Sequence, residues 1–424
     1  MQGLGMTAVR LAALLGTIAL AAATLSTGEA QARVVTRTVK SFNGADGKWP
    51  SSALVRAADG VLYGTTRVGG DFDKGTVFSL TPSATGKSFK HKVLYSFTGL
   101  ADGSEPMGDL IIGPDGELFG TAWTGGSSAC GSCGTVFALI PPVSPGKKWT
   151  ENTLHTFAGA PGDGSLAFGG LLAGNGGVLF GTTQAGGKDG HGTVYQLTPP
   201  PAGQTAWPID IIANFKGTPD GDEPWAALSM DADGRIFGTT VRGGETCECG
   251  TAFMLTPNSA APGRAASWTK TILRRFKGKP DGEDPYSKLL IGGDGALYGT
   301  TFLGGDLDDG TVFRLIPQPG GKWSEEILTS FDGLSRGPIF TGALAVDSLG
   351  ALYGTTQNGG TVFKLSPPAT GIKWRRRTLH TFNGDGDDGF LPDAAVIFDA
   401  DGRLLGTTVE GGANFLGAVF VLKP

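Results

Sequence analysis

One string recurs seven times along this chain, and the recurrence limits the possible folds more tightly than composition does. Leu62-Tyr63-Gly64-Thr65-Thr66, followed by Gly69-Gly70 and Gly75-Thr76-Val77-Phe78, returns as Leu118-Phe119-Gly120-Thr121 with Gly134-Thr135-Val136-Phe137. Further copies begin at Leu179-Phe180-Gly181, Ile236-Phe237-Gly238, Leu297-Tyr298-Gly299, Leu352-Tyr353-Gly354 and Leu404-Leu405-Gly406. The marker glycines are spaced by 56, 61, 57, 61, 55 and 52 residues. Each period holds four short strand patterns separated by turn signals, which is the content of one propeller blade.

In the first unit the strands are predicted over residues 53–57, 61–66, 76–80 and 93–97, named A to D from the axis outward. The D strands carry a second ruler, an aromatic eight residues before the last Phe: Phe89/Phe97, Trp149/Phe157, Trp207/Phe215, Trp268/Phe276, Trp323/Phe331 and Trp374/Phe382. An even spacing in an extended strand predicts both rings on one face, packing between neighbouring sheets.

The phase of the repeat predicts a ring. The chain opens on a lone D pattern over residues 34–42 and ends on a C pattern over residues 418–422, so the first segment is expected to complete the last blade. A closed ring of this kind leaves no unpaired edge. The fold expected is all-β, a seven-bladed β-propeller of four antiparallel strands per blade, occupying residues 33–424 as one domain. Residues 1–32 read as a signal peptide: Arg10 closes a short basic segment, Leu11 to Leu25 is an uncharged apolar run, and Ala30-Gln31-Ala32 offers a small-x-small cleavage site. With it removed no segment is apolar enough to span a membrane, and the mature protein is expected in the periplasm or outside the cell, as a monomer.

The string L-Y-G-T-T-x-x-G-G…G-T-V-F-x-L-T-P, whole at Leu62 to Pro82 and nearly whole at Leu297 to Pro317, resembles the GloVer tandem repeat of the "choice-of-anchor" surface proteins. The resemblance covers the mature chain and brings no assigned activity or functional residues with it. Members of that family commonly end in a sorting or anchoring segment, whereas this sequence stops at Pro424 directly after its last strand pattern.

The loops carry whatever chemistry there is. In a propeller the D-to-A and B-to-C connections share one face, and the former border the central funnel. The D-to-A loops repeat Asp-Gly-x-x-Pro at Asp46, Asp102, Asp220, Asp281 and Asp388; unit three keeps Asp163-Gly164 without the proline, and unit six has Arg336-Gly337-Pro338. Asp and Gly at fixed positions answer to turn geometry. The variable positions do not, and they hold Glu105, Asp222, Glu223, Glu283 and Asp284 interleaved with Trp49, Trp225, Tyr286 and Phe390. Carboxylates beside aromatic faces around a concave opening suit a sugar ring or a cation, Ca²⁺ included. No other cofactor is implied. The four histidines lack metal-ligand spacing and no Ser lies in a G-x-S-x-G context. Cys130 with Cys133, and Cys247 with Cys249, fall in the two longest B-to-C loops, where an oxidising compartment predicts two local disulfides. The net charge of −5, with no basic cluster, argues against nucleic acid as a partner. Three readings follow: a binding or scaffolding module for a glycan or a cell-surface protein; a secreted carbohydrate-active hydrolase or lyase using funnel carboxylates; or a structural envelope protein.

Overall fold

The computed structural model describes residues 34–126, 130–144, 146–245, 247–258, 267–331, 342–357, 359–371 and 373–424. The expected signal peptide and the Arg336-Gly337-Pro338 segment lie outside them. Seven four-stranded antiparallel sheets, each in the order A-B-C-D, make a seven-bladed propeller. Blade 1 consists of A, Val55–Arg56; B, Leu62–Thr66; C, Thr76–Pro82; and D, Phe89–Ser96. Blade 7 takes A, Ile397–Phe398, B, Leu404–Thr408, and C, Ala418–Lys423, from the end of the chain and D, Val35–Ser41, from its beginning. The last C strand and the first D strand pair antiparallel from Val35 opposite Lys423 to Ser41 opposite Ala418, which closes the ring.

The marker glycines have a steric cause. A Cβ on Gly64 would stand 2.8 Å from Cζ of Phe78, and one on Gly299 2.5 Å from Cζ of Phe313. The B-strand backbone therefore lies flat on the aromatic of the neighbouring C strand, and only glycine permits that approach. That buried C-strand ring also meets the last D-strand Phe of the preceding blade. Phe97 reaches Phe137 with centroids 5.1 Å apart, Phe215 reaches Phe253 at 5.1 Å, and Phe42 reaches Phe78 at 5.2 Å across the closure. Edge-on pairs of this kind add about 0.5–1.5 kcal/mol to the burial of the rings themselves.

The D strands depart from the expected register in one informative way. Each skips one residue in its pairing with C, and the skipped residue is aliphatic every time: Val39, Leu94, Leu154, Ile212, Leu273, Leu328 and Leu379. A bulge inserts one residue and inverts the alternation beyond it. The two aromatics eight residues apart consequently lie on opposite faces of the blade, not on one. Phe89 packs with Phe42, Phe78 and Leu405 at the junction of blades 7 and 1, while Phe97 packs with Leu110, Leu118 and Phe137 at the junction of blades 1 and 2. Packing between sheets is as expected; each blade simply grips both neighbours. The D strands also begin at the aromatic or within two residues after it, so the first starts at Phe89 rather than at residue 93, and A strands are only two residues long.

Candidate functional site

The D-to-A and B-to-C loops do meet on one face. Gly164–Ser165 pairs with Ala185–Gly186, Gly282–Glu283 with Leu303–Gly304, and single bridges join Lys48 to Val68, Ser104 to Thr124 and Asp222 to Arg242. The repeated Asp is spent on structure. Asp102 accepts from the peptide N–H of Thr98 at 2.7 Å and the Tyr95 hydroxyl at 2.9 Å, and Asp163 accepts from Ala158 N and faces His155 Nε2, both at 2.9 Å. His380 faces Asp388 in the same way at 3.3 Å, and His191 pairs with Asp222 at 2.9 Å.

Two residues after the glycine, every described loop places a non-glycine residue in the left-handed region: Trp49, Glu105, Leu166, Glu223, Asp284 and Leu391, with φ between 54° and 61°. This conformation costs roughly 1–2 kcal/mol per residue and needs support from its surroundings. The support is a pair of backbone hydrogen bonds. The Glu223 N–H donates to His191 O and the Asp284 N–H to Cys249 O, both carbonyls belonging to the preceding blade. The carbonyls of Glu223 and Asp284 accept from Val241 N and Phe302 N at 3.0 Å, just beyond the B strand of their own blade. Cys133 O likewise receives the Leu166 N–H at 2.7 Å. Cys130–Cys133 and Cys247–Cys249 are disulfide-bonded, with Cα atoms 6.0 and 5.2 Å apart, so each bridge sits in the loop that seats the next blade's left-handed residue.

These seats form the mouth of the funnel, which has two different halves. Across blades 2 to 5 aromatic rings touch in series: Trp123 to Phe168 at 5.9 Å, Phe168 to Trp225 at 4.9 Å, Trp225 to Tyr286 at 5.3 Å and Tyr286 to Phe302 at 6.1 Å. Phe168, Trp225 and Tyr286 hold the same repeat position in three consecutive blades, and they can touch one another only because the blades converge there. Phe168 is buried; the other four rings are half-buried and reach solvent. Glu223 and Asp284 sit among them. Burial pushes the Asp284 carboxyl up to about 6, with Arg242 Nη1, 3.9 Å from Oδ1, opposing the shift and Glu283 and then Glu223 adding to it. Burial also raises Glu223, and raises the Tyr286 hydroxyl to about 12. The other half is polar. Arg67 bonds Glu105 through Nε at 2.7 Å and stands 5.6 Å from the Trp123 ring centroid. Gln357 donates to Asp393 at 3.2 Å; burial lifts this carboxyl well above the usual range while the Arg67 charge pulls it down.

Of the residues singled out in the sequence, Glu223, Trp225, Asp284 and Tyr286 come together at the mouth. Glu105 pairs with Arg67 beside Trp123, at the blade-2 end of the arc; Asp222 is engaged by His191; and Glu283 is raised by burial and by the charge of Asp308. Trp49 and Phe390 are exposed to 37%, away from the arc. Sequence reasoning missed Arg67, Trp123, Arg242, Phe302 and Gln184, whose side chain hydrogen-bonds that of Glu223. Arg67, Trp123, Gln184 and Phe302 occupy the first variable position inside an otherwise repeated string, directly after Gly-Thr-Thr or Gly-Thr-Ala. Among the described residues no three His, Cys, Asp or Glu side chains group to hold a metal ion.

The profile of the Gloeobacter/Verrucomicrobia repeat matches residues 24–208 and 131–360. The chain belongs to this family. No curated protein matches this repeat protein in sequence. Among solved structures it is similar to a streptogramin B lyase at 15% identity and a TM-score of 0.52, with 92% of this chain and 97% of that one covered. It is also similar to a catalytically inactive virginiamycin B lyase from Staphylococcus aureus, solved with quinupristin, at 12% identity and a TM-score of 0.56, with 92% and 100% covered. Likeness at this identity establishes for the Gloeobacter/Verrucomicrobia repeat chain a shared propeller fold and nothing about its chemistry.

Proposed function

We propose that this repeat protein is an exported, monomeric binding module that holds a carbohydrate at the funnel mouth of blades 2 to 5. The observation that carries the reading is the arc of Trp123, Phe168, Trp225, Tyr286 and Phe302 in ring-to-ring contact, with Glu223 and Asp284 set into it. Aromatic faces give the apolar faces of a sugar ring a platform, and the acids and Arg242 offer hydrogen-bonding groups for its hydroxyls. Export is supported by the composition of residues 1–32 and by the two disulfides, which persist in oxidising compartments. The test is calorimetric titration of residues 33–424 with a panel of soluble polysaccharides, with and without Ca²⁺ and with EDTA. A glycan that binds wild type and loses at least tenfold in affinity with Trp225→Ala, at an unchanged melting temperature, supports the reading. Equal binding by the variant removes the arc from recognition.

A second reading, a hydrolase or lyase at the same mouth, is favoured by two carboxyls that interact and both hold protons more tightly than usual. Turnover of a bound polysaccharide that disappears in Asp284→Asn, with binding retained, would establish it over the first.

A further inference from the structure

Below the mouth the propeller axis is a channel of about 620 Å³ whose wall comes from the A strands of all seven blades. Two rings of side chains line it. The upper ring holds the residue three positions after the loop proline or its counterpart: Ala53, Asp109, Ala227, Lys288, Ala343 and Ala395 stand on the wall, and Gly170, at this position in blade 3, presents no side chain. The lower ring, two residues further along each strand, holds Val55, Ile111, Leu172, Ser229, Leu290, Ala345 and Ile397. Five members of the upper ring are Ala or Gly, so its only functional groups are one carboxylate and one ammonium. Ser229 in the lower ring is already committed, its hydroxyl donating to Leu289 O.

Asp109 and Lys288 stand on blades 2 and 5, three blades apart one way and four the other, which is the greatest separation a seven-membered ring permits. Burial raises the Asp109 carboxyl and the Lys288 charge opposes that rise, yet no ion pair closes between them and Lys288 has no carboxylate within 4 Å among the described residues. Asp109 is fixed in place, one carboxyl oxygen accepting the Ala53 N–H at 2.7 Å. Two opposite charges facing each other across apolar walls, each incompletely compensated, are costly unless something bridges them.

The geometry points to a second binding site in this channel, for a zwitterion with an apolar body: an apolar amino acid or short peptide whose ammonium end meets Asp109 and whose carboxylate end meets Lys288. The aliphatic side chains then rest on Val55, Ile111, Leu172, Leu290 and Ile397. Matching two charges at once excludes singly charged amphiphiles, each of which leaves one wall charge facing its like or facing nothing. The channel is large enough for a dipeptide, and the short alanine side chains of the upper ring, Ala53, Ala227, Ala343 and Ala395, leave room for its backbone.

The test titrates the whole folded chain with Leu-Leu, with its N-acetyl form and with its C-terminal amide, by calorimetry at neutral pH. Leu-Leu is expected to bind, each blocked form to lose at least tenfold, and Lys288→Met and Asp109→Asn each to lose at least tenfold with Leu-Leu. Lys288→Gln serves in place of the Met variant should that variant unfold. Absence of binding by Leu-Leu overturns the proposal, as does undiminished binding by either charge variant. Equal binding of the blocked peptides also overturns it, since the apolar ring alone would then account for the affinity.

Discussion

The seam between blades 3 and 4 and the mouth above it are built from the same two blades under opposite rules. At the seam, Phe215 packs on Phe253 in an edge-on pair that recurs with nearly the same geometry at all seven junctions, from 4.9 Å at Phe382 and Phe420 to 5.5 Å at Phe331 and Phe363. At the mouth, the equivalent positions are Ser51, Met107, Phe168, Trp225, Tyr286 and Asp393, no two alike. Seven junctions share one steric problem, so they share one solution. The axis has only one mouth, and each blade contributes a different side chain to it. Repetition therefore marks what holds the ring, and departure from repetition marks what the ring can present to a ligand.

The comparison is broken most severely if the seventh junction differs from the others, because there the seam joins the two ends of the chain. Phe42 and Phe97 are both fully buried and make equivalent contacts. Phe42→Ala and Phe97→Ala are each expected to cost about 3–5 kcal/mol. Deleting residues 33–42 removes the entire outer strand of blade 7 and is expected to cost more than either. Urea unfolding of the three variants measures this. A Phe42→Ala cost well below that of Phe97→Ala would mean that the closing strand carries less load than the other six.

How much of this was legible follows the same division. The blades, their number, the strand order and the closing role of the first segment were all readable, because each rests on a residue type that recurs: Gly64 and its copies against the C-strand ring, or Phe97 and its copies at the seam. The face of Phe89 was misread because a bulge leaves no gap in the sequence; Leu94 looks like any strand residue until its partner strand is present to skip it. The mouth was half legible. Glu223, Trp225, Asp284 and Tyr286 stood out as variable residues in repeated loops, but Trp123 and Phe302 reach the same arc from the B strands, and nothing local says that two separate variable positions converge. Asp109 and Lys288 were passed over because a single charge two residues before an A strand is legible as a channel residue only once all seven blades are ranked together.

A smaller effect sharpens the distinction between burial at the seam and burial at the mouth. Asp284 is only 4% exposed, and its carboxyl is raised to about 6. An acid with a folded-state pKa above its unfolded value of about 3.9 takes up protons on folding. Its contribution is therefore most favourable below pH 4 and is lost as pH rises through about 6. Asp284→Asn carries no such penalty, so wild type is expected to lose about 2 kcal/mol relative to the variant between pH 4 and pH 7. Parallel stability curves for the two proteins would show that the mouth charges this carboxyl at no cost.

The smallest expected effect concerns the backbone that seats the mouth. Glu105 has φ of 54°, and its side chain bonds Arg67. Replacing it by Gly or by Ala removes that ion pair equally, so the difference between the two variants isolates the left-handed conformation. Glycine enters this region without a Cβ penalty, whereas alanine keeps it. Glu105→Gly is expected to be more stable than Glu105→Ala by about 1 kcal/mol, the reverse of their usual order in regular structure. Denaturant unfolding of both variants at one pH reads the difference. If alanine proves the more stable, the strained seat is a feature of Glu105 alone and the repeated left-handed residue loses its structural explanation; if glycine does, the same substitution at Leu166 and Leu391 should follow, since their φ angles of 61° and 55° lie in the same left-handed region.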